Sequence, residues 1–155
     1  MTSAIERRLG ELGLTLPEVP SPAGNYVPWV RSGKLLFISG QVPMTEGRIA
    51  IAGRLGDNVS LEEGQRAARL CALNILAQAR AALDGALDGL ARCVKLGGFV
   101  ACTPDFTDHP KVINGASDLM VAAMGEAGRH ARFAVGAPSL PLGAAVEVEA
   151  IFELH

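Results

Sequence analysis

Charge excess, aromatic rings and paired cysteines are all scarce in this chain. Lysine and arginine total 14 against 16 acidic residues, for a net charge of −2 and a pI near 5.9, so no broad electrostatic attraction for nucleic acid is expected. One tryptophan, one tyrosine and five phenylalanines offer little platform for stacking bases. The basic cluster Arg129, His130 and Arg132, with Glu126 close by, is too small for a phosphate-binding stripe. Three cysteines (Cys71, Cys93 and Cys102) are odd in number and widely spaced. No C-x-x-C occurs, and His109, His130 and His155 form no H-x-x-x-H, so neither a disulfide framework nor a metal site is expected. Buried thiols in a reducing compartment are the expectation instead. Asn74, Gln78 and Arg80 interrupt the longest apolar tracts, and M-T-S-A-I-E-R-R-L-G-E-L lacks the apolar core of a signal peptide. A soluble cytoplasmic protein that avoids membranes is expected.

What is present suits one folded domain: 155 residues, 49% apolar and 19% charged. Ile5, Leu9 and Leu12 give Ser3–Leu12 one apolar helical face. Pro17, Pro20, Pro22 and Gly24 then predict an extended connector. Tyr26–Val30 and Lys34–Ile38 predict strands around an Arg31-Ser32-Gly33 turn, with Ser39-Gly40-Gln41 ending the second and Arg48–Ala52 a short third. Ser60-Leu-Glu-Glu63 is a capping box that starts a helix running to about Ala82. Ala91–Ala101 reads as a strand, its Gly97-Gly98 pair marking a bulge or a close backbone approach. Asp108-His109-Pro110 opens another helix, whose Val112/Ile113, Ala116, Leu119/Met120 and Ala123/Met124 recur at helical spacing up to Gly125 and Gly128. Two such helices cover only one face of a five- or six-stranded sheet, leaving the other to water or to another chain.

The C-terminal stretch from Arg132 to Glu149 holds the chemistry. Val146 and Val148 alternate with Glu147 and Glu149, which puts both carboxylates on one strand face. Gly136, Pro138, Pro141 and Gly143 break the chain before that strand, so Arg132 and Glu147 are expected on neighbouring strands. A fixed cation beside a fixed carboxylate is the minimum for holding an anionic substrate and activating a water. It is equally the composition of an ordinary ion pair.

Several motifs in order resemble the reactive-intermediate deaminase (Rid) superfamily, in a divergent branch also called endoribonuclease L-PSP. They are Tyr26, F-I-S-G-Q-V-P (37–43), Leu73-Asn74-Ile75, Phe99-Val100, Val112-Ile113-Asn114, A-R-x-x-V (131–135) and L-P-x-x-A-x-V-E-V-E-A-I (140–151). The resemblance covers roughly Asn25 to Leu154. It implies a chorismate-mutase-like α+β fold, a mixed β-sheet with two helices packed on one face. It divides the chain into an N-terminal extension (1–24) and a single Rid-like domain (25–155).

It also implies a homotrimer with sites between subunits and hydrolysis of 2-imino or enamine acids to 2-keto acids and ammonia, without metal or cofactor. By the same resemblance Arg132 clamps the substrate carboxylate and Glu147 positions water, while Ser39, Gly40, Tyr26, Asn114 and Ala134 line the site. Read from residues alone, Ser39-Gly40 is a strand-ending turn, Tyr26 a packing aromatic and Asn114 a structural mid-helix residue. Ala134 departs from the family pattern, which often has cysteine there and uses its backbone more than its thiol. The region Ala50–Asp57 and the extension also depart from compact members and bear on substrate identity. Two other functions remain open: a non-catalytic ligand-binding or regulatory trimer, and an endoribonuclease that inhibits translation.

Overall fold

A computed structural model describes residues 2–19 and 25–155, so Pro20, Pro22 and Gly24 of the expected connector lie outside the described residues. The elements are helices α1 (Ala4–Glu11), α2 (Leu61–Ala82) and α3 (His109–Met124), with strands β1 (Trp29–Ser32), β2 (Leu35–Gln41), β3 (Met44–Thr45), β4 (Arg48–Ile49), β5 (Leu90–Ala101), β6 (Ala131–Ala137) and β7 (Val146–Leu154). Five strands form one mixed sheet in the order β1-β2-β7-β5-β6, antiparallel throughout except for the parallel pair β5 and β6, which α3 connects. This is the expected α+β class with helices on one face, plus a third helix leaning on α3.

Local chemistry explains the helix boundaries. Ser60 Oγ accepts from the Glu63 amide and Glu63 Oε1 accepts from the Ser60 amide, both at 3.1 Å, so two otherwise orphaned donors are satisfied. Hydrogen bonding from the Ser60 amide first, and from its hydroxyl second, holds the Glu63 carboxyl below its usual range. The long α2 is buried over most of its circumference because Ala67, Ala68, Ala72, Ala77 and Ala79 present little bulk. Such smoothness lets α3 approach closely. A Cβ on Gly115 would overlap the Gln65 carbonyl oxygen of α2. The two helices cover Leu36, Ile38, Leu96, Val100, Val146, Val148, Ala150 and Phe152 of the sheet. Each fully buried aliphatic or aromatic side chain there contributes about 1.5–3 kcal/mol.

Several strand details differ from expectation. β1 begins at Trp29, leaving Tyr26 and Val27 outside it. The hairpin closes at Gly33-Lys34 between paired Ser32 and Leu35, with Gly33 at φ +59°. Arg48-Ile49 joins a separate two-stranded hairpin with Met44-Thr45. Gly97-Gly98 is a close approach on both faces. A Cβ on Gly97 would sit 2.6 Å from the Phe133 ring, and one on Gly98 2.6 Å from Ile113 of α3. The register shifts of β5 lie elsewhere, before Arg92 and before Lys95.

The expected adjacency of Arg132 and Glu147 is overturned. Strand β5 lies between β6 and β7, pairing with each, because the chain leaves β6 and returns to the middle of the sheet. The face away from the helices is not purely polar either. Val30, Phe37, Ile151 and Lys95 form one cross-strand row, flanked by Leu35, Phe133 and Val135 as well as by Glu149 and Glu153.

Candidate functional site

Register decides where each candidate side chain points. Arg132 pairs with Leu96, a buried residue of the helix-covered face, and its guanidinium reaches α3. Nη1 donates to Asn114 Oδ1 at 2.8 Å and to Ser117 Oγ at 3.1 Å, while Nη2 makes a longer contact to the Pro110 carbonyl at 3.5 Å. All three acceptors are neutral. Among the described residues Arg132 has no carboxylate partner, and its Nε–H has no acceptor. The cation is therefore fixed but not neutralised, with one edge of its fork open. That edge suits a bidentate carboxylate.

Ala134 lies one step along the same face, beside Gly98 in register and packed against the core. β6 has no strand partner on its outer edge among the described residues, which leaves polar backbone groups near Arg132 and Ala134 available.

Glu147 lies on the opposite face. It pairs with Phe99, and its carboxylate presses against Gly40, where a Cβ would overlap Oε2. Partial burial, reinforced by repulsion from Glu149, raises the Glu147 carboxyl above its usual range. Gly40 sits in the irregular register between Ile38 and Gln41. Ser39 is anchored there: its Oγ donates to the Val27 carbonyl and its amide to the Pro28 carbonyl, both at 2.9 Å. Asn74 of α2 holds the next corner by donating to the Val42 and Met44 carbonyls at 3.0 Å. Tyr26, next to Val27, is 63% exposed.

Two half-sites result: Arg132, Asn114 and Ala134 beside α3, and Glu147, Ser39 and Gly40 across the sheet, with Tyr26 beside Ser39's anchor. A cavity of about 500 Å³ between α2 and α3 includes Gln65, Arg69, Gly115 and Asp118 and none of these candidates. Its lining mixes both charges around an apolar floor. Sequence reasoning missed Ser117 and the Pro110 carbonyl. Ser117 follows Asn114 by three residues, which puts both on one helix face, and that spacing was the available signal.

The three thiols are buried and unpaired. Burial pushes Cys93 up to about 12 and raises Cys71 and Cys102 as well, the opposite of what a thiolate nucleophile needs. Among the described residues no cluster of three metal-ligating side chains occurs, and no helix is long and apolar enough to cross a membrane.

The family model described as "YjgF/chorismate_mutase-like, putative endoribonuclease" matches residues 6–154. A crystal structure of a protein of unknown function from Agrobacterium tumefaciens is 54% identical, with a TM-score of 0.93 over 98% of this chain and 93% of that one. Protein TCP17 of Trypanosoma cruzi is 49% identical over 152 residues, 97% of this chain and 94% of its own. RidA from an Antarctic Psychrobacter shares 26% identity at a TM-score of 0.61, covering 88% of this chain and 94% of that one.

Proposed function

This chain belongs to the YjgF/chorismate-mutase-like family of the Rid superfamily, and from that membership and the state of Arg132 we propose that it hydrolyses 2-imino and enamine acids to 2-keto acids and ammonia. The observation that carries the reading is a cation pinned by Asn114, Ser117 and the Pro110 carbonyl with no carboxylate of its own among the described residues. An ordinary structural ion pair would have supplied one.

The second part of the proposal is assembly. Arg132 and Glu147 occupy opposite faces of the sheet, so one small substrate cannot touch both within a protomer. A homotrimer that covers the open face would set the Glu147, Ser39 and Gly40 of one subunit against the Arg132, Asn114 and Ala134 of the next. The exposed Val30, Phe37 and Val135 supply apolar surface for such a contact.

The chemistry asks for positioning more than for a strong nucleophile. Arg132 takes the substrate carboxylate on its open edge and presents C2 of the imine. Glu147 accepts a proton from water as the water oxygen bonds to C2, and returns it to nitrogen to give the carbinolamine. Glu147 then takes the carbinolamine hydroxyl proton and delivers it to nitrogen as the C–N bond breaks, so the C=O of the 2-keto acid forms and ammonia leaves. A carboxyl raised by burial suits this double duty, since it is a better base than a solvated one. The residues named provide this proton transfer and binding without calling on a cofactor.

The test is hydrolysis of freshly generated 2-iminobutanoate by wild type and Arg132→Ala, with assembly followed by light scattering. Turnover by wild type alone, in equal assemblies, is expected. Carboxylate binding without turnover by wild type would make the chain a ligand-binding protein. Loss of assembly in Arg132→Ala would make that arginine structural.

A further inference from the structure

We propose that His130 is a positioning residue for Arg132, acting through Ser117, an inference that rests on reading Arg132 as the carboxylate clamp. His130 Nδ1 lies 2.6 Å from the Gly128 carbonyl, and its Nε2 lies 2.8 Å from Ser117 Oγ, the same oxygen that receives Arg132 Nη1. With a neutral imidazole, the direction of the protons in this chain follows from what each end can do. Arginine only donates, and a carbonyl only accepts. The proton on the imidazole must therefore sit on Nδ1 and point at Gly128. Nε2 of the neutral ring is then an acceptor. The Ser117 hydroxyl donates to it, turning its lone pairs toward the guanidinium.

Both ends of the relay are rigid. Gly128 is pressed onto α3, where a Cβ would fall 2.7 Å from the Met120 carbonyl carbon, so its own carbonyl is fixed to the helix that carries Ser117 and Asn114. His130 precedes β6 and lies two residues before Arg132. The ring thus ties the start of β6 to α3 at the level of the clamp. Without an acceptor at Nε2 the Ser117 hydroxyl would be free to rotate. Its hydrogen would then face Arg132 part of the time, leaving Asn114 as the single close anchor on Nη1.

Two near-isosteric substitutions divide the functions of the ring. Glutamine at 130 can place an acceptor near the Nε2 position and face Ser117. Asparagine can place a donor near Nδ1 and face Gly128, but offers nothing to Ser117. The experiment compares wild type, His130→Gln, His130→Asn and Ser117→Ala. It reads the KM and kcat for 2-iminobutanoate and, independently of activity, the rotation of the Arg132 guanidinium by nitrogen-15 NMR, assigned by its absence in Arg132→Ala. Thermal melting checks that each variant folds.

His130→Asn and Ser117→Ala are expected to speed guanidinium rotation and raise KM about tenfold at nearly constant kcat, as loss of a charge-assisted hydrogen bond dictates. His130→Gln should restore both quantities toward wild type. The reverse pattern, with His130→Asn normal and His130→Gln impaired, would show that the ring only anchors the turn at Gly128 and would overturn the proposal. Unchanged rotation in all three variants would overturn it too. If wild type hydrolyses nothing, the deaminase reading falls, while the guanidinium signals still decide the role of His130.

Discussion

Arg132 and Glu147 project from opposite faces of the sheet, on strands that β5 holds apart. The cation is held by neutral acceptors, and the carboxylate lies close against Gly40. Neither neutralises the other. The proposed chemistry therefore depends on assembly as much as on residues.

Phe37→Glu tests that dependence directly. Phe37 is 39% exposed on the open face and paired with Val30 and Ile151, remote from Arg132. A charge there should leave the protomer folded, prevent assembly, and abolish turnover. Sedimentation beside activity is the check, and an active monomer would sink the shared site.

Arg132→Lys keeps the charge and loses the fork. One ammonium cannot reproduce the bonds to Asn114 and Ser117 while offering two parallel donors to a carboxylate. We expect kcat/KM to fall by roughly 10–100-fold. Equal efficiency in steady-state kinetics would show that the bidentate geometry is unused.

Glu147→Gln should lower kcat by about 100-fold or more and raise thermal stability at neutral pH. Burial first, and Glu149 second, raise the Glu147 carboxyl, so the folded chain holds this proton more tightly than the unfolded chain. That stabilising contribution is complete below the ordinary carboxylate range and is lost as pH rises through the raised value. The advantage of glutamine should accordingly be absent in acid and emerge across that window. Melting curves of both proteins against pH measure it.

Gly115→Ala should destabilise by about 1–3 kcal/mol, because the added methyl meets the Gln65 carbonyl backbone and α2 cannot yield locally. Since α3 carries Asn114 and Ser117, KM should rise with the displacement. Denaturant unfolding and kinetics on one preparation would reveal whether the two effects travel together.

Most of the fold could be read along the chain. Ser60 and Glu63 located the start of α2, Asp108-Pro110 that of α3, and the alternation from Val146 gave β7. The insertion of β7 between β2 and β5 could not, because strand order depends on distant pairings that leave no local period. Arg132 and Glu147 were legible as residues, but their opposed directions were not. Ser117 and His130 escaped for a different reason. A hydroxyl on a helix and a histidine before a strand are ordinary in isolation, and only the fold sets them in line with a guanidinium.

The first helix carries a practical lesson for anyone trimming this protein. Ile5 and Leu9 are sunk into the shared interior, Arg8 donates to the Ala123 carbonyl, and Glu6 bridges to Arg80 at 3.4 Å. Ser3 caps the helix from a buried position, and the Ala4 amide bonds Asp88. A recombinant fragment begun at Asn25 would leave an oily furrow beside Met124 and Leu87, a carbonyl on Ala123 without its donor, and a bare arginine on α2. Such a preparation would be prone to clump for reasons unconnected with the proposed site, and a silent assay on it would say nothing about the full chain.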